Sequence, residues 1–237
     1  MAEADLRWRR PLTPGGPEVA RIGQGTWRMG ERPAARAQEV AALRLGIDLG
    51  LTHIDTAEMY AAGRAEEIVG EAIAGRRDAV FVATKVMPQN ASRRGTIAAC
   101  ERSLRRLGTD WIDLCLLHWW DGRYPIEETM EAMQRLVDAG KVRYAGVSNL
   151  DVDELERARS GLDPTPLVCN QVLYHLGERG IEHRLLPYCA AHRIGVVAYS
   201  PFGQGRFPGP GSAGGRLLAE IGAKYGRTPR QIALNFL

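Results

Sequence analysis

Ionisable side chains stand at or just beyond the ends of three short apolar segments. Asp55 ends THID, with Tyr60 following in the next loop, while Lys85 ends AVFVATK and His118 ends WIDLCLLH. A free tyrosine has a pKa of about 10, and a neighbouring ammonium lowers that pKa because it favours the phenolate. The pattern predicts an acid–base group in which Asp55 orients Lys85, and Lys85 lowers the pKa of Tyr60.

Such a group suits the reduction of a carbonyl. His118 could hydrogen-bond the carbonyl oxygen, and Tyr60 could donate a proton to that oxygen while hydride reaches the carbon. Because protein side chains do not supply hydride, this chemistry implies a nicotinamide cofactor. Tyr199 offers a flat face for the nicotinamide ring. Hydrogen-bonding groups for its carboxamide stand at the ends of other apolar segments: Ser148, Asn149 and Gln171.

Seven short apolar segments alternate with longer segments of helical composition, and these elements must position the chemistry. The predicted strands are residues 20–27, 52–56, 79–85, 111–118, 142–149, 166–172 and 194–200. The predicted helices are residues 36–49, 64–74, 92–107, 125–139, 151–158 and 181–192, with two more from Arg216 and after Thr228-Pro229. Continuously apolar strands that alternate with helices predict a parallel sheet covered on its outside.

Two architectures fit this alternation: an open doubly wound sheet and a closed (β/α)8 barrel of the TIM type. No predicted strand is followed by G-x-G-x-x-G, which is typical of the open dinucleotide-binding sheet, so we favour the α/β barrel. Residues 6–21, which turn at TPGG, predict an N-terminal β-hairpin. A barrel brings the C-terminal strand ends to one mouth, where its chemistry occurs. We expect residues 1–237 to form a single domain.

Each of these residues also has an ordinary structural interpretation. Asp55 could begin a turn, Lys85 could extend to the surface, and His118 could be hydrogen-bonded inside the core. A metal-dependent hydrolase would need further ligands at suitable spacing, and because the sequence offers none we expect no metal. Polar residues at so many successive strand ends favour the catalytic interpretation.

The composition is that of an ordinary globular domain. Of 237 residues, 45% are hydrophobic and 25% charged, with a net charge of +3. Basic and acidic residues are interspersed, so we expect no nucleic-acid partner. No apolar run approaches the ~20 residues of a membrane helix, and the start has no apolar signal core. The four cysteines include no C-x-x-C pair, which fits a protein of the reducing cytoplasm. For the oligomeric state, we expect a monomer or weak oligomer.

The segments IDTAEMY, ATK, LLHW, GVSN, NQ and AYSPFGQGR resemble, in this order, the motifs of the aldo-keto reductase family. The resemblance is strongest to bacterial members that reduce methylglyoxal and other small aldehydes. It implies a catalytic tetrad of Asp55, Tyr60 as proton donor, Lys85 and His118. It implies nicotinamide contacts at Thr26, Asp55, Ser148, Asn149, Gln171 and Tyr199, and pyrophosphate contacts at Ser200, Pro201, Phe202, Gly203 and Gln204. The implied substrate pocket contains Trp27, Trp119 and His118, and a histidine at 118 goes with carbonyl rather than carbon–carbon double-bond reduction.

One part of the family pattern is absent from the given chain. The eighth strand, with an I-P-K-type motif, and the basic residues for an adenosine 2′-phosphate would follow the final segment NFL. We therefore expect the natural chain to continue for some tens of residues. The cofactor implied is NADPH, with NADH not excluded. An alternative function is a cofactor-sensing regulatory or binding subunit of the same fold with slow turnover.

Overall fold

A computed structural model describes residues 8–237. It begins with two antiparallel strands, β1 (Arg9–Pro11) and β2 (Glu18–Ala20), which pair within the region of the predicted hairpin. Residues 6 and 7 of that predicted hairpin lie outside the described residues. No helix of the described part is long and apolar enough to cross a membrane.

Seven parallel strands alternate with helices along the rest of the chain. The strands are β3 (Gly23–Gly25), β4 (His53–Asp55), β5 (Phe81–Val86), β6 (Ile112–Leu117), β7 (Val142–Ser148), β8 (Leu167–Leu173) and β9 (Gly195–Tyr199). The helices are α1 (Arg36–Asp48), α2 (Arg64–Ile73), α3 (Arg93–Leu107), α4 (Ile126–Asp138), α5 (Val152–Ser160), α6 (Leu185–Ala191), α7 (Ala213–Tyr225) and α8 (Pro229–Phe236). Helix boundaries follow local signals, as at Ser92, whose hydroxyl accepts from the Gly95 N–H and caps α3.

The seven strands form one sheet in chain order, with β3 and β9 at its edges. The sheet is strongly curled. This is shown by the hydrogen bond at 2.7 Å between Gln171 in β8 and the Asp55 side chain in β4. In a flat sheet, strands four positions apart would be separated by roughly 19 Å. The described residues therefore form a partial barrel with two open edges.

The core has one layer outside the curled sheet and one inside it. The outer layer lies between sheet and helices and includes Leu43, Ile68, Met130 and Leu155. The inner layer contains side chains of the strands, such as Phe81, Leu114, Leu116 and Val168, and receives Val19 from β2. The β1–β2 pair therefore fills the end of the partial barrel at which the strands begin.

Two predicted elements are shorter in the structure. The strand predicted over residues 20–27 is confined to Gly23–Gly25, because Ala20 already pairs with Arg9 in the antiparallel pair. The helix predicted over residues 181–192 begins at Leu185, and a 3-10 turn at Gly180–Glu182 precedes it. Neither difference moves the C-terminal strand ends, where the polar residues lie.

Candidate active site

The buried ammonium of Lys85 lies at the centre of the site. Lys85 belongs to β5, and its side chain is 1% exposed. Its Nζ donates to Asp55 Oδ1 at 2.6 Å, to the Thr56 carbonyl oxygen at 2.9 Å and to the Tyr60 hydroxyl oxygen at 3.4 Å. An ammonium has three N–H donors, so these acceptors use all of them. Full pairing offsets the cost of burying the charge.

Asp55 ends β4 and connects distant strands across the mouth of the partial barrel. Its Oδ1 accepts from Lys85, while its Oδ2 accepts from Gln171 Nε2 at 2.7 Å. Its main-chain carbonyl accepts from both the N–H and the hydroxyl of Thr26, each at 3.0 Å. Thr26 is fully buried, so it fixes the main chain of Asp55 from within the protein. The carboxylate consequently has one orientation, and so does the ammonium that it holds.

Tyr60 lies in the segment after β4, just before an unusual turn of the backbone. The next three residues, Ala61, Ala62 and Gly63, have φ of 50°, 56° and 89°. Left-handed backbone costs a non-glycine residue roughly 1–2 kcal/mol, so this turn persists only because the surrounding structure imposes it. The turn leaves the phenol ring beside the ammonium of Lys85, 5.0 Å from Nζ to the ring centroid.

The pKa of Tyr60 lies above its ordinary value. Burial raises this pKa, and the effect outweighs the lowering by the Lys85 ammonium. The net shift is opposite to the one that the sequence predicts. The physical reason is that a phenolate loses hydration in the buried site, whereas the charge of Lys85 is already shared with Asp55.

His118 follows β6 and faces the phenol ring. Its ring centroid lies 5.8 Å from that of Tyr60 and 4.8 Å from that of Trp119, both with edge-to-face geometry. Its Nδ1 is buried and has no hydrogen-bond partner among the described residues. Burial, followed by the charge of Lys85, lowers the pKa of His118 to about 4. The imidazole is therefore neutral near pH 7 and carries one N–H that can donate.

A second hydrogen-bonded group connects the ends of β7, β8 and β9. The Ser148 hydroxyl donates to the Gln171 main-chain carbonyl at 2.8 Å, and Asn149 Nδ2 donates to Ser148 Oγ at 3.0 Å. Asn149 Nδ2 also donates to the His118 main-chain carbonyl at 3.1 Å, and the Tyr199 hydroxyl donates to Asn149 Oδ1 at 2.8 Å. Asn149 has a φ of 61°, which asparagine tolerates better than most residues. Through Gln171 and His118, this group adjoins the first one.

Known proteins are similar to this chain in sequence and in fold. The sequence model of the Aldo/keto reductase family matches residues 21–237. The chain belongs to the aldo/keto reductase family. It is 55% identical to methylglyoxal reductase YeaE of Escherichia coli (strain K12) over 183 residues, which are 77% of this chain and 64% of that protein.

Two further comparisons extend this result. The chain is 40% identical to aldo-keto reductase YhdN of Bacillus subtilis (strain 168) over 207 residues, which are 82% of this chain and 62% of that one. The crystal structure of an aldo/keto reductase from Klebsiella pneumoniae in complex with NADP and acetate matches with a TM-score of 0.84 and 47% identity, covering 95% of this chain and 80% of that one. This aldo/keto reductase chain thus spans less than two thirds of the length of the two curated relatives.

The five residues predicted to contact a pyrophosphate lie on the loop after β9, directly beyond Tyr199. Ser200, Gly203 and Gln204 have left-handed backbone, with φ of 54°, 66° and 52°. Gln204 Nε2 donates to Ser200 Oγ at 2.9 Å, and the Gly203 N–H donates to the Ser200 carbonyl at 2.9 Å. The Phe202 ring packs edge-to-face against the Phe207 ring, with centroids 5.6 Å apart. The loop is thus folded on itself at the edge of the mouth.

The two tryptophans predicted to line a substrate pocket have different surroundings. Trp119 packs against His118, as described above. Trp27 follows β3 and is 56% exposed, with the Arg28 guanidinium 4.9 Å from its ring centroid. Trp119 therefore adjoins the acid–base group directly, whereas Trp27 lies at the outer rim.

Glu58 and the left-handed turn after Tyr60 belong to the site but were not predicted from the sequence. Glu58 is buried beside the site, although a glutamate in a loop is ordinarily exposed. The sequence offers only a weak signal for either feature, because alanine at positions 61 and 62 gives no indication of positive φ. Among the described residues, no group of three His, Cys, Asp or Glu side chains is arranged as metal ligands.

Proposed function

We propose that this aldo/keto reductase reduces small aldehydes or ketones with NADPH, with Tyr60 as the proton donor. The observation that carries the proposal is the contact of the Tyr60 hydroxyl with the buried Lys85 ammonium, 3.4 Å away. The hydroxyl oxygen accepts from Lys85, which leaves its own proton free for donation. The 55% identity to an Escherichia coli methylglyoxal reductase supports small aldehydes as the substrate class.

Each residue of the site has its own role in the reduction of a carbonyl. The neutral His118 ring donates its N–H to the carbonyl oxygen and holds that oxygen near Tyr60. The Tyr60 hydroxyl then transfers its proton to the oxygen as negative charge develops there. The Lys85 ammonium stabilises the resulting phenolate, and Asp55 keeps the ammonium charged and oriented. Because the pKa of Tyr60 is raised, the phenol is fully protonated near pH 7 and ready to donate.

The polar groups around Tyr199 fit a nicotinamide. Its hydroxyl is bound to Asn149, so its ring is held in one plane that can stack on another flat ring. Gln171 uses its amide N–H on Asp55, which leaves Oε1 to accept from a carboxamide, and Ser148 and Asn149 add further polar groups. A nicotinamide bound there supplies the hydride. The Klebsiella pneumoniae aldo/keto reductase of similar fold was crystallised with NADP.

The loop after β9 suits the pyrophosphate of such a cofactor. Ser200, Gly203 and Gln204 have left-handed backbone, and turns of this kind can direct main-chain N–H groups towards an anion. We assign this role to Ser200 through Gln204. Trp119, beside His118, forms one wall of the substrate pocket, and Trp27 forms part of its outer rim.

The sheet needs an eighth strand to become a closed barrel. Strands β3 and β9 are its edges, and unpaired edge strands expose backbone donors and acceptors to other chains. An eighth parallel strand between them would close the (β/α)8 barrel, with the β1–β2 hairpin at its base. We expect residues for the adenosine 2′-phosphate to accompany that strand.

A substrate panel tests this function directly. The natural protein is incubated with methylglyoxal and other small aldehydes and ketones, with either NADPH or NADH, and oxidation of the cofactor is followed. We expect turnover of small aldehydes with NADPH. Tight cofactor binding without turnover of any carbonyl would contradict the reductase function and favour the cofactor-sensing alternative.

A further inference from the structure

We propose that Glu58 is a positioning residue of the site, which ties the segment carrying Tyr60 to the end of β5 carrying Lys85. The inference rests on the proposed function, since it concerns the distance between the proton donor and its ammonium. Glu58 lies between β4 and Tyr60, and its side chain is 5% exposed. A buried carboxylate outside the acid–base group requires an explanation of its own.

The contacts of Glu58 join two loops at the mouth. Its main-chain N–H donates to the Lys85 carbonyl at 3.3 Å. Its Oε1 accepts from the Met87 N–H at 2.8 Å and from Asn90 Nδ2 at 2.9 Å. Its Oε2 pairs with Arg102 at 3.3 Å. One side chain therefore connects the loop before Tyr60 with the loop after β5 and with α3.

These contacts constrain all three chemical groups. Tyr60 is two residues beyond Glu58, and Lys85 is two residues before Met87, so the carboxylate fixes the phenol relative to the ammonium. The neighbouring Val86 carbonyl accepts from the main-chain N–H of His118 at 3.0 Å, which joins the backbone that carries the imidazole to the same strand end. A displacement of about 1 Å between reacting groups can cost roughly 10²-fold in rate.

Glu66 shows what a purely structural buried glutamate looks like in this protein. It is fully buried in α2, accepts from the Thr84 hydroxyl at 2.6 Å and pairs with Arg106 of α3. These partners join a helix to its neighbours behind the sheet. Glu58 instead bonds two main-chain segments that carry the site, so its removal should displace Tyr60 before it loosens the core.

The test compares Glu58→Ala and Glu58→Gln with wild-type natural protein, using methylglyoxal and NADPH. We expect Glu58→Ala to lower kcat by roughly 10- to 100-fold, with KM and the NADPH dissociation constant within about threefold of wild type. Glu58→Gln keeps an oxygen for the Met87 and Asn90 donors and should retain most of the rate. Asn90→Ala, which removes one of these bonds, should show a smaller loss of kcat and serves if Glu58→Ala does not fold.

A second readout does not depend on activity. The Met87 amide hydrogen should exchange with solvent at least about tenfold faster in Glu58→Ala than in wild type, because its acceptor is gone. The stability control is Asp113→Asn, which removes a buried carboxylate at the opposite end of the sheet. It should leave kcat unchanged, and any faster exchange should be spread over the sheet rather than confined to Met87.

The outcomes separate this inference from the proposed function. An inactive wild type would overturn the reductase function. An active wild type whose kcat is matched within twofold by Glu58→Ala would overturn the positioning role of Glu58 alone. The role would also be overturned if Glu58→Ala and Glu58→Gln lost the same activity, or if the loss appeared equally in KM and cofactor binding.

Discussion

Two aspartates lie at opposite ends of the curled sheet, Asp55 half-buried and Asp113 buried, and both form ion pairs with basic side chains. Asp55 at the C-terminal end of β4 holds Lys85 at 2.6 Å. Asp113 near the start of β6 holds Arg77 at 2.6 Å and Arg143 at 3.0 Å. The two sites thus share the chemistry of an ion pair, but they differ in what surrounds it.

The difference lies in the groups that remain free. Asp113 also accepts from the Val82 N–H at 2.9 Å, and both its arginines lie over the Trp111 ring, at 4.5 and 4.7 Å. At the Asp55 end, the Tyr60 proton is uncommitted and the His118 ring has a nitrogen without a partner among the described residues. At the Asp113 end the buried Trp111 indole N–H also lacks a partner among the described residues, but an indole is not an acid–base group. The Asp113 network therefore stabilises the fold, whereas an ion pair beside a phenol and an imidazole can act on a substrate. In barrels of this kind, chemistry lies at the C-terminal face.

The largest expected effect is on the chemistry. Tyr60→Phe keeps the ring and removes the hydroxyl, so we expect kcat for methylglyoxal to fall by about 10²–10⁴, with the NADPH dissociation constant nearly unchanged. Steady-state kinetics and a fluorescence titration of NADPH give both numbers. Near wild-type turnover would remove Tyr60 from the mechanism.

A substitution at the Asp113 end of the sheet should lower the free energy of unfolding rather than the activity. Asp113→Asn leaves the half-buried Arg77 and the exposed Arg143 without their carboxylate. Breaking the buried Arg77–Asp113 pair costs about 3 kcal/mol of the free energy of unfolding, and the exposed Arg143 adds little. Urea unfolding measures this loss, and the activity of the folded fraction should not change. A variant as stable as wild type would show that the Asp113 network contributes little.

Lys85→Met sharpens the comparison, because the ion pair at the active end should matter for rate more than for stability. Methionine removes the ammonium and leaves the Asp55 carboxylate with Gln171 Nε2 as its side-chain donor. Because the Asp55 side chain is 18% exposed and can be hydrated, the loss in the free energy of unfolding should be smaller than that of Asp113→Asn. We expect kcat to fall by about 10²-fold, and the basic limb of the pH–rate profile to move to higher pH, because Lys85 lowers the pKa of Tyr60. An unchanged profile would make Lys85 a bystander.

A smaller effect should appear at the cofactor site. Tyr199→Ala should weaken NADPH binding by about 1 kcal/mol or more, through loss of the stacked ring. The matched control, Tyr199→Phe, loses only the hydroxyl that holds Asn149 and should bind more tightly than the alanine variant. Equal dissociation constants for wild type and Tyr199→Ala would contradict the stacking role.

The smallest effect concerns pH. The folded-state pKa of His118 is about 4, below the ordinary value of about 6.5, so the unfolded chain binds the proton more readily. This residue's contribution to stability is therefore present above about pH 6.5 and is lost as the pH falls towards 4. His118→Gln should flatten the fall in the free energy of unfolding over this window. An NMR titration of the His118 ring with a midpoint near 6.5 would contradict the buried, neutral imidazole.

The sequence predicts the parallel sheet and the positions of its polar strand ends well, and for a physical reason. Apolar strands such as β5 and β6 differ sharply in composition from the residues that end them, so Lys85 and His118 stand out. In the structure, Asp55, Tyr60, Lys85 and His118 lie together, as the pattern predicts. Their chemical roles remain proposals.

Other features depend on burial, which a linear pattern does not reveal. The pKa of Tyr60 is raised rather than lowered, because the loss of hydration exceeds the effect of Lys85. The sequence places Glu58 in a loop, and only its hydrogen bonds with the loop after β5 show that its side chain is buried. The left-handed turn at Ala61 and Ala62 is likewise imposed by tertiary structure.

The most direct measurement compares how substitutions at the two ends of the sheet change the reaction rate and the stability. Single-turnover reduction of methylglyoxal by NADPH and urea unfolding are measured on the natural protein, on Tyr60→Phe and on Asp113→Asn. We expect Tyr60→Phe to lose about 10²–10⁴ in single-turnover rate with little change in stability, and Asp113→Asn to lose about 3 kcal/mol of stability with its single-turnover rate intact. A Tyr60→Phe protein that reduces methylglyoxal at the wild-type rate would contradict the assignment of chemistry to the C-terminal end.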